Sequence, residues 1–439
     1  MASSTPKPSA ADPTEAELIA ARPHLSRHAM DGLMMEGVPL NAIADALGTP
    51  VWVYSAGSIR SRLAALTRAL SGLDAHIHYA VKANDHLAVL RLMADGGAGA
   101  DVVSGGELRR ARKAGIAPGH IVFSGVGKTA DEIRLALSEG IYQLNVESPA
   151  ELEMISAIAS TLGRTADIVL RINPDVDAGT HAKITTGKAD NKFGIAYTDA
   201  VSLYAHAARL PGIRPQGLAL HIGSQILTMA PYRAAFSRAA DLIHSLRASG
   251  LSVTRMDCGG GIGIGYGDEP GASPEAFAGA IGQIFGAMDV TLMIEPGRWL
   301  VGPAGVLLAS VVLTKAEERF MVLDAAMNDL IRPAMYEAYH GIVPVSPGNF
   351  APPRPIDVVG PVCETGDTFA KARMMAPVAA GGRVAILDAG AYGAVMSSTY
   401  NARALAAIAM VDGERWAMIR ARQTLESLWD GEIIPDLTA

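Results

Sequence analysis

Between residues 76 and 295 the chain alternates two hydrophobic periods. Short β-rich runs fall at 76–82, 100–104, 121–124, 141–147, 167–172, 217–223, 253–258 and 291–295. Segments with helical spacing lie between them, at 85–95, 105–113, 130–138, 149–162, 199–209, 231–248 and 274–288. Several of these open on a proline or carry an acidic residue in the first turn, as helix starts do. Eight strands alternating with helices predict a parallel sheet, and the count of eight favours a closed (β/α)8 TIM-type barrel over an open doubly wound sheet. The longest gap holds a polar stretch, 173–193; a loop of that length inside a barrel is more often functional than idle. After residue 304 the pattern changes. Strands are expected at 306–315, 319–324, 357–363, 383–388 and 415–424, separated by Pro/Gly-rich stretches, and 50–55 is expected to join them. The fold class is therefore α/β: a barrel over 58–303 and a mostly antiparallel β domain built from 21–57 and 304–439.

Composition narrows this picture. At about 150 residues per domain, the 439 residues suggest three domains; the pattern reduces these to two. With 49% hydrophobic and 18% charged residues, the chain has the balance of a soluble globular protein. A net charge of −7 argues against a nucleic-acid partner. No apolar run reaches the ~18 residues of a membrane span. The only two cysteines, Cys258 and Cys363, are far apart, which excludes a disulfide scaffold and a Cys-rich zinc site, and no metal is expected. Residues 1–14 are rich in Ser, Pro and Ala without a secretory pattern. A disordered tail over 1–20 and a cytoplasmic location are expected.

A parallel barrel gathers its chemistry at the C-terminal ends of its strands. The expected strand ends carry Lys82, Arg171, His221 with Ser224, the run Gly259–Gly263, and Glu295 followed by Pro296, Gly297 and Arg298. A lysine desolvated at a barrel mouth is a nucleophilic amine suited to Schiff-base chemistry. A glycine run lets backbone N–H groups approach an anion, and barrels commonly bind phosphate after strands seven and eight. Glu295 could pair with Arg298 or hold a proton on a heteroaromatic nitrogen. His221 could be a core histidine or a ring stacked on a flat cofactor. Taken together, an amine, a phosphate cradle, a carboxylate and a stacking ring describe a pyridoxal-phosphate site. Cys258, before the glycine run, reads as a small buried hydrophobe.

The motifs YAVKAN (79–84), DVVSGGEL (101–108), THAKITTGKADNKFG (180–194), HIGSQ (221–225), CGGGIGIGY (258–266), EPGR (295–298), DAAMNDLIRPAMYEAYH (324–340), GPVCETGD (360–367) and DAGAYGAVMSSTYN (388–401) carry a further signal. From about residue 37 onward the chain resembles the fold-type III pyridoxal-phosphate decarboxylases, of alanine-racemase-like architecture, and among them the branch acting on meso-diaminopimelate. The resemblance implies that Lys82 is the Schiff-base lysine and that His221 stacks on the cofactor. It implies that Ser224 and the loop with Gly260, Gly261 and Gly263 hold the phosphate, and that Glu295 faces the pyridine nitrogen. Gly297 and Arg298 fall in the same cofactor-binding motif. By the same resemblance, Arg298, Arg332 and Tyr336 bind the substrate carboxylate and distal end. Cys363 is the implied proton donor, Glu364 meets the distal ammonium, and Tyr392 reaches the cofactor phosphate and the substrate.

The expected activity is decarboxylation of meso-2,6-diaminopimelate to L-lysine and carbon dioxide, the last step of lysine biosynthesis. A homodimer with shared active sites is expected, because family members take the proton donor and its glutamate from the partner subunit. Racemases of this fold place an arginine where Glu295 stands, so Glu295 argues for a decarboxylase. Forked donors on Arg298 and Arg332 suit a substrate with a second carboxylate. Decarboxylation of ornithine, of arginine or of an acyl group on a carrier protein, and a non-catalytic binding or regulatory role, are the alternatives; the intact Lys82, Glu295 and Cys363 weigh against the last.

Overall fold

The eight β-rich runs fold as β1 (Ala75–Ala80), β2 (Gly99–Val102), β3 (Ile121–Phe123), β4 (Gln143–Val146), β5 (Ala166–Asn173), β6 (Ile213–Ala219), β7 (Arg255–Gly260) and β8 (Thr291–Glu295). The computed structural model describes residues 12–177, 193–317, 319–348 and 351–437. Each strand runs parallel to the next. β8 pairs back onto β1 through Leu292↔Ala75, Met293↔His76 and Ile294↔Ile77, which closes the ring. β2, β3 and β4 are buried at every position, because one face fills the barrel and the other meets helices.

The helices start where their caps are. Ser104, Thr129, Ser148 and Ser273 each accept the backbone N–H three residues on, and Thr129 forms a capping box with Glu132. Ser104 and Ser148 lie just beyond β2 and β4, so each chain turns outward at once and leaves the strand end open. On the outside, Tyr232 and Phe236 of helix Ala230–Ala248 pack on Phe277 and Phe285 of helix Pro274–Phe285, with centroids 4.9 Å (Tyr232–Phe277) and 5.6 Å (Phe236–Phe285) apart.

The chain divides into two units. One is Ile59–Gly265 with Pro270–Gly302, the barrel; the other is Met1–Ser58, Tyr266–Glu269 and Pro303–Ala439. In the second unit the long strand Gly305–Lys315 is antiparallel to Val51–Ser55, Phe320–Leu323 and Arg383–Ile386. Two pairings are parallel, Phe320–Leu323 with Arg354–Val359 and Val51–Ser55 with Ala407–Asp412. The sheet is mostly antiparallel, as its sequence suggests, and Val53, Val306, Leu308, Ala385, Leu387 and Ala409 lie in its core.

Several expectations change. Residues 1–11 of the expected tail lie outside the described residues, but Glu15–Ala20 is a helix. Thr14 and Glu17 form its capping box, and Leu18 is buried. The Ser/Pro/Ala composition concealed that box. The strand expected at 357–363 is Arg354–Val359; Gly360–Pro361 breaks it, and Cys363 stands in the following turn. Strands Thr368–Met375 and Ala407–Asp412 were not expected, since their alanine and lysine content hides the β pattern. In the 173–193 stretch, residues 178–192 lie outside the described residues.

Within the second unit Arg22 meets Asp388 as a buried ion pair. Its Nε reaches both carboxylate oxygens at 3.0 and 3.1 Å, and it donates to the carbonyls of Leu18, Tyr266 and Gly267. Removing one member of such a pair costs about 3–5 kcal/mol because the other stays buried. Arg22→Ala is expected to lower stability by that amount in denaturant unfolding. Arg22→Met combined with Asp388→Asn is expected to recover a large part of the loss.

Candidate active site

β1 ends at Ala80, and a 3-10 turn, Val81–Ala83, lifts Lys82 to the mouth of the barrel. Its Nζ lies 3.0 Å from Oδ2 of Asp101 on β2, a fully buried carboxylate. The other oxygen, Asp101 Oδ1, has no hydrogen-bond partner among the described residues. The mouth therefore gives the amine a buried countercharge, where sequence position alone suggested an apolar surround.

On the strand next to β1 in the closed ring, Glu295 ends β8 and is buried. Its Oε1 accepts from Ser124 Oγ and Asn145 Nδ2, both at 3.3 Å. Asn145 Nδ2 also donates to Ser124 Oγ at 3.0 Å and to Asp257 Oδ2 at 3.1 Å. Gln143 orients this amide from behind, Nε2 to Asn145 Oδ1 at 2.9 Å. Burial, with Asp101 and Asp257 facing it, pushes the Glu295 carboxyl well above its usual range; Lys82 opposes the shift. Glu295 does not bond Arg298 in place of a cofactor: Arg298 Nη2 donates instead to Ser224 Oγ at 3.1 Å.

The glycine loop packs on the segment after β6. Gly261 O accepts from Ile226 N–H at 2.9 Å, and Gly263 N–H donates to Ile226 O at 3.0 Å. A Cβ on Gly260 would stand 2.0 Å from Glu295 O, and Gly261, at φ 87°, would place one 2.1 Å from Gly223 O. No side chain fits at either position, so the backbone itself lines the floor. Tyr232 Oη ties this floor down by donating to Gly260 O at 2.9 Å. The Pro296 carbonyl accepts Ala80 N–H at 3.0 Å, and Gly297 leaves room for Ala83, so the β8 end abuts the Lys82 turn.

His221 follows β6 and is partly buried. Burial, with the cations of Arg171 and Lys82 nearby, holds its ring well below the usual histidine range, so it is neutral and suited to stacking. Arg171 is itself clamped by Glu147 at 2.7 Å. Cys258 is buried and its thiol is pushed well up, first by burial and then by Asp257 and Glu295, as an inert packing residue requires.

Thus Lys82, His221, Ser224, Gly260, Gly261, Gly263, Glu295, Gly297 and Arg298 all fall in the barrel unit, at strand ends. Arg332, Tyr336, Cys363, Glu364 and Tyr392 belong to the second unit. There, His340 Nδ1–H donates to Leu387 O at 2.7 Å, so its Nε2 accepts from Arg332 Nη1 at 2.8 Å. Arg332 is buried and also lies over the Tyr266 ring at 4.8 Å. The turn with the exposed Cys363 and Glu364 is stapled by Asp367, whose carboxylate accepts the N–H groups of Val362 and Met327, both at 2.7 Å. Asn401 Oδ1 accepts from Cys363 N–H at 3.3 Å. Tyr392 holds a left-handed backbone, φ 55°, of the kind that costs about 1–3 kcal/mol and clusters at functional sites.

Sequence reading missed Asp101, Asn145, Asp257, His340 and Asp367. The signal for the first three was present in the sequence: a carboxylate or amide inside a β-rich run, in GADV, QLNV and RMDCGG. The amine, the glycine floor that admits no Cβ, the imidazole held below its usual range and the carboxyl raised above its own by burial together match pyridoxal phosphate.

Residues 56–302 match the family model described as pyridoxal-dependent decarboxylase, pyridoxal binding domain. The diaminopimelate decarboxylase of Zymomonas mobilis is 49% identical over 91% of this chain and 96% of its own length. The crystal structure of diaminopimelate decarboxylase from Helicobacter pylori complexed with L-lysine matches with a TM-score of 0.86 and 40% identity, over 89% of this chain and 98% of that one. The M. jannaschii diaminopimelate decarboxylase in co-complex with L-lysine matches with a TM-score of 0.89 and 34% identity, over 94% and 99%. With the barrel-mouth geometry and these relatives in agreement, the chain belongs to the diaminopimelate decarboxylase family of pyridoxal-dependent decarboxylases.

Proposed function

We propose that the protein converts meso-2,6-diaminopimelate to L-lysine and carbon dioxide with pyridoxal 5'-phosphate, as the last step of lysine biosynthesis. The observation that carries this reading is the meeting of an amine, Lys82, with a buried carboxyl, Glu295, whose burial raises its proton affinity, at one barrel mouth floored by glycine. Bound there, the cofactor supplies an electron sink for the pair left when carbon dioxide departs.

The chain's own residues supply the rest. Lys82 would hold the cofactor covalently through its amine, and Asp101, 3.0 Å from Nζ, would stabilise that amine in its charged form. Glu295 keeps a proton at the pyridine nitrogen. His221 would stack on the cofactor ring, and Ser224 with the loop at Gly260, Gly261 and Gly263 would hold the phosphate, with Tyr392 and the Gly297–Arg298 turn beside them. Arg298 and Arg332 bind carboxylate and, with Tyr336, orient the substrate so that carbon dioxide leaves the D-configured centre. Glu364 meets the distal ammonium, and the Cys363 thiol returns a proton. The buried His340–Arg332 bond fixes the guanidinium before substrate arrives, which lowers the ordering cost of binding. We further propose a cytoplasmic homodimer in which Cys363 and Glu364 of one subunit complete the partner's site. Among the described residues no helix is long and apolar enough to cross a membrane.

Lys82→Ala is expected to abolish carbon dioxide release from meso-diaminopimelate and the visible absorbance of the holoenzyme; a coloured, active variant overturns the assignment. Preference for ornithine or arginine in a substrate panel overturns the substrate. Arg332→Ala is expected to raise KM at least about tenfold, the scale of a lost charged hydrogen bond, with a smaller change in kcat. If sites are shared, mixing inactive Lys82→Ala and Cys363→Ala subunits is expected to restore about a quarter of wild-type activity, because half the dimers then hold one intact site. No recovery on mixing counts against sharing.

A further inference from the structure

Asp257 is fully buried on β7 and has no part in the chemistry derived so far. Its position is nevertheless specified at two points. Oδ1 accepts Gly259 N–H at 2.9 Å, and Oδ2 accepts Asn145 Nδ2 at 3.1 Å. The same amide nitrogen reaches Glu295 Oε1 at 3.3 Å, which sets the two carboxyl groups side by side. Two adjacent carboxyls in a dry interior repel as a pair of anions, and one proton between them relieves that repulsion. The donors to Asp257 are the closer ones, 2.9 and 3.1 Å against 3.3 Å for both donors to Glu295, which favours the anion on Asp257 and the proton on Glu295.

We propose that Asp257 and Asn145 form a clamp on Glu295 that keeps one proton on the Asp257–Glu295 pair and so keeps the cofactor's pyridine nitrogen protonated when Glu295 engages it. Asp257 is a positioning residue in this scheme. The proton count closes: passing the proton from the Glu295 carboxyl to the nitrogen leaves a carboxylate and a pyridinium, and the net charge is unchanged. Asp257 contributes its negative charge, which in a dry interior raises the proton affinity of whichever group holds the proton. Burial pushes Asp257 itself up to about 6, and Glu295 lies well above its ordinary value. The other charged or titratable groups facing the pair are Asp101 on β2, Lys82 beyond β1 and the buried Cys258 thiol. Asp101 adds to the effect and Lys82 opposes it.

The inference rests on reading the barrel mouth as a pyridoxal-phosphate site, and its test separates the two. Holoenzyme carrying cofactor labelled with nitrogen-15 in the ring is titrated by NMR, as wild type and as Asp257→Asn. The pyridine nitrogen of the variant is expected to lose its proton at least about one pH unit lower than wild type, a tenfold change in the proton equilibrium. Bound cofactor with the same titration in both proteins overturns the inference and leaves the site reading intact; failure of wild type to bind the cofactor overturns the site reading. A second measurement uses cofactor-free wild type and does not depend on how Asp257→Asn folds. At about pH 8, above the value near 7 to which burial pushes Glu107, the infrared spectrum is expected to show a protonated-carboxyl band that Glu295→Gln lacks. Absence of that band from wild type also overturns the inference.

Discussion

Closure of β8 onto β1 is the constraint from which the candidate site follows. Met293↔His76 sets the register of that last pairing. It places the end of β8, and with it Glu295, beside the turn that carries Lys82. The contact beyond the strands is close: Ala80 N–H bonds Pro296 O, and Gly297 stands where a larger residue would meet Ala80 and Ala83. A one-residue slip would turn the Glu295 side chain from the barrel interior to the helix side. Parallel closure thus brings together an amine and a carboxyl from opposite ends of the barrel sequence.

Closure carries an electrostatic cost. Asp101, Asp257 and Glu295 all enter a low-dielectric interior, and unpaired carboxylates there are expensive. The structure meets this in three ways: Lys82 neutralises Asp101, Asn145 and Gly259 solvate Asp257, and burial raises the proton affinity of Glu295. A further layer holds these groups in place. Lys128 is wholly buried and bonds Glu151 at 2.7 Å and the Asn145 carbonyl at 2.6 Å, which anchors the strand that carries the bridging amide. Lys128 and Glu151 need touch no ligand, yet they restrict the rotamer states open to the groups that line the mouth.

The alternation of periods made the barrel legible, because eight short apolar runs separated by helical spacing have few other solutions. Helix starts were legible where a cap stood, as at Ser104 and Ser148. The second unit was less so. Its strands at Ala407–Asp412 and Thr368–Met375 have weak intrinsic preference and owe their form to pairing with distant segments, which local pattern cannot reveal. The helix Glu15–Ala20 shows the opposite failure: the Thr14–Glu17 box was present, but a compositional reading of the tail overrode it. In the site, residues at strand ends were found because barrel geometry says where to look. Asp101, Asn145 and Asp257 were missed because they sit within strands, where a polar residue has no local explanation and finds its reason only across the ring.

That distinction bears on how specificity and chemistry are divided in this chain. The charged and amide groups at the barrel mouth are each fixed by backbone register or by a buried neighbour, so they tolerate little change. Tyr392 and the turn bearing Cys363 are carried on loops of the other unit, one strained at φ 55° and one stapled by Asp367. Loops held at a few points can change residue and reach without disturbing a core. The buried barrel groups are thus held as a rigid property of the fold, while Arg332, whose guanidinium is set by one histidine, belongs to the other unit. A change of substrate within this architecture would be expected to leave the Asp257–Asn145–Glu295 cluster untouched and to alter the loops first.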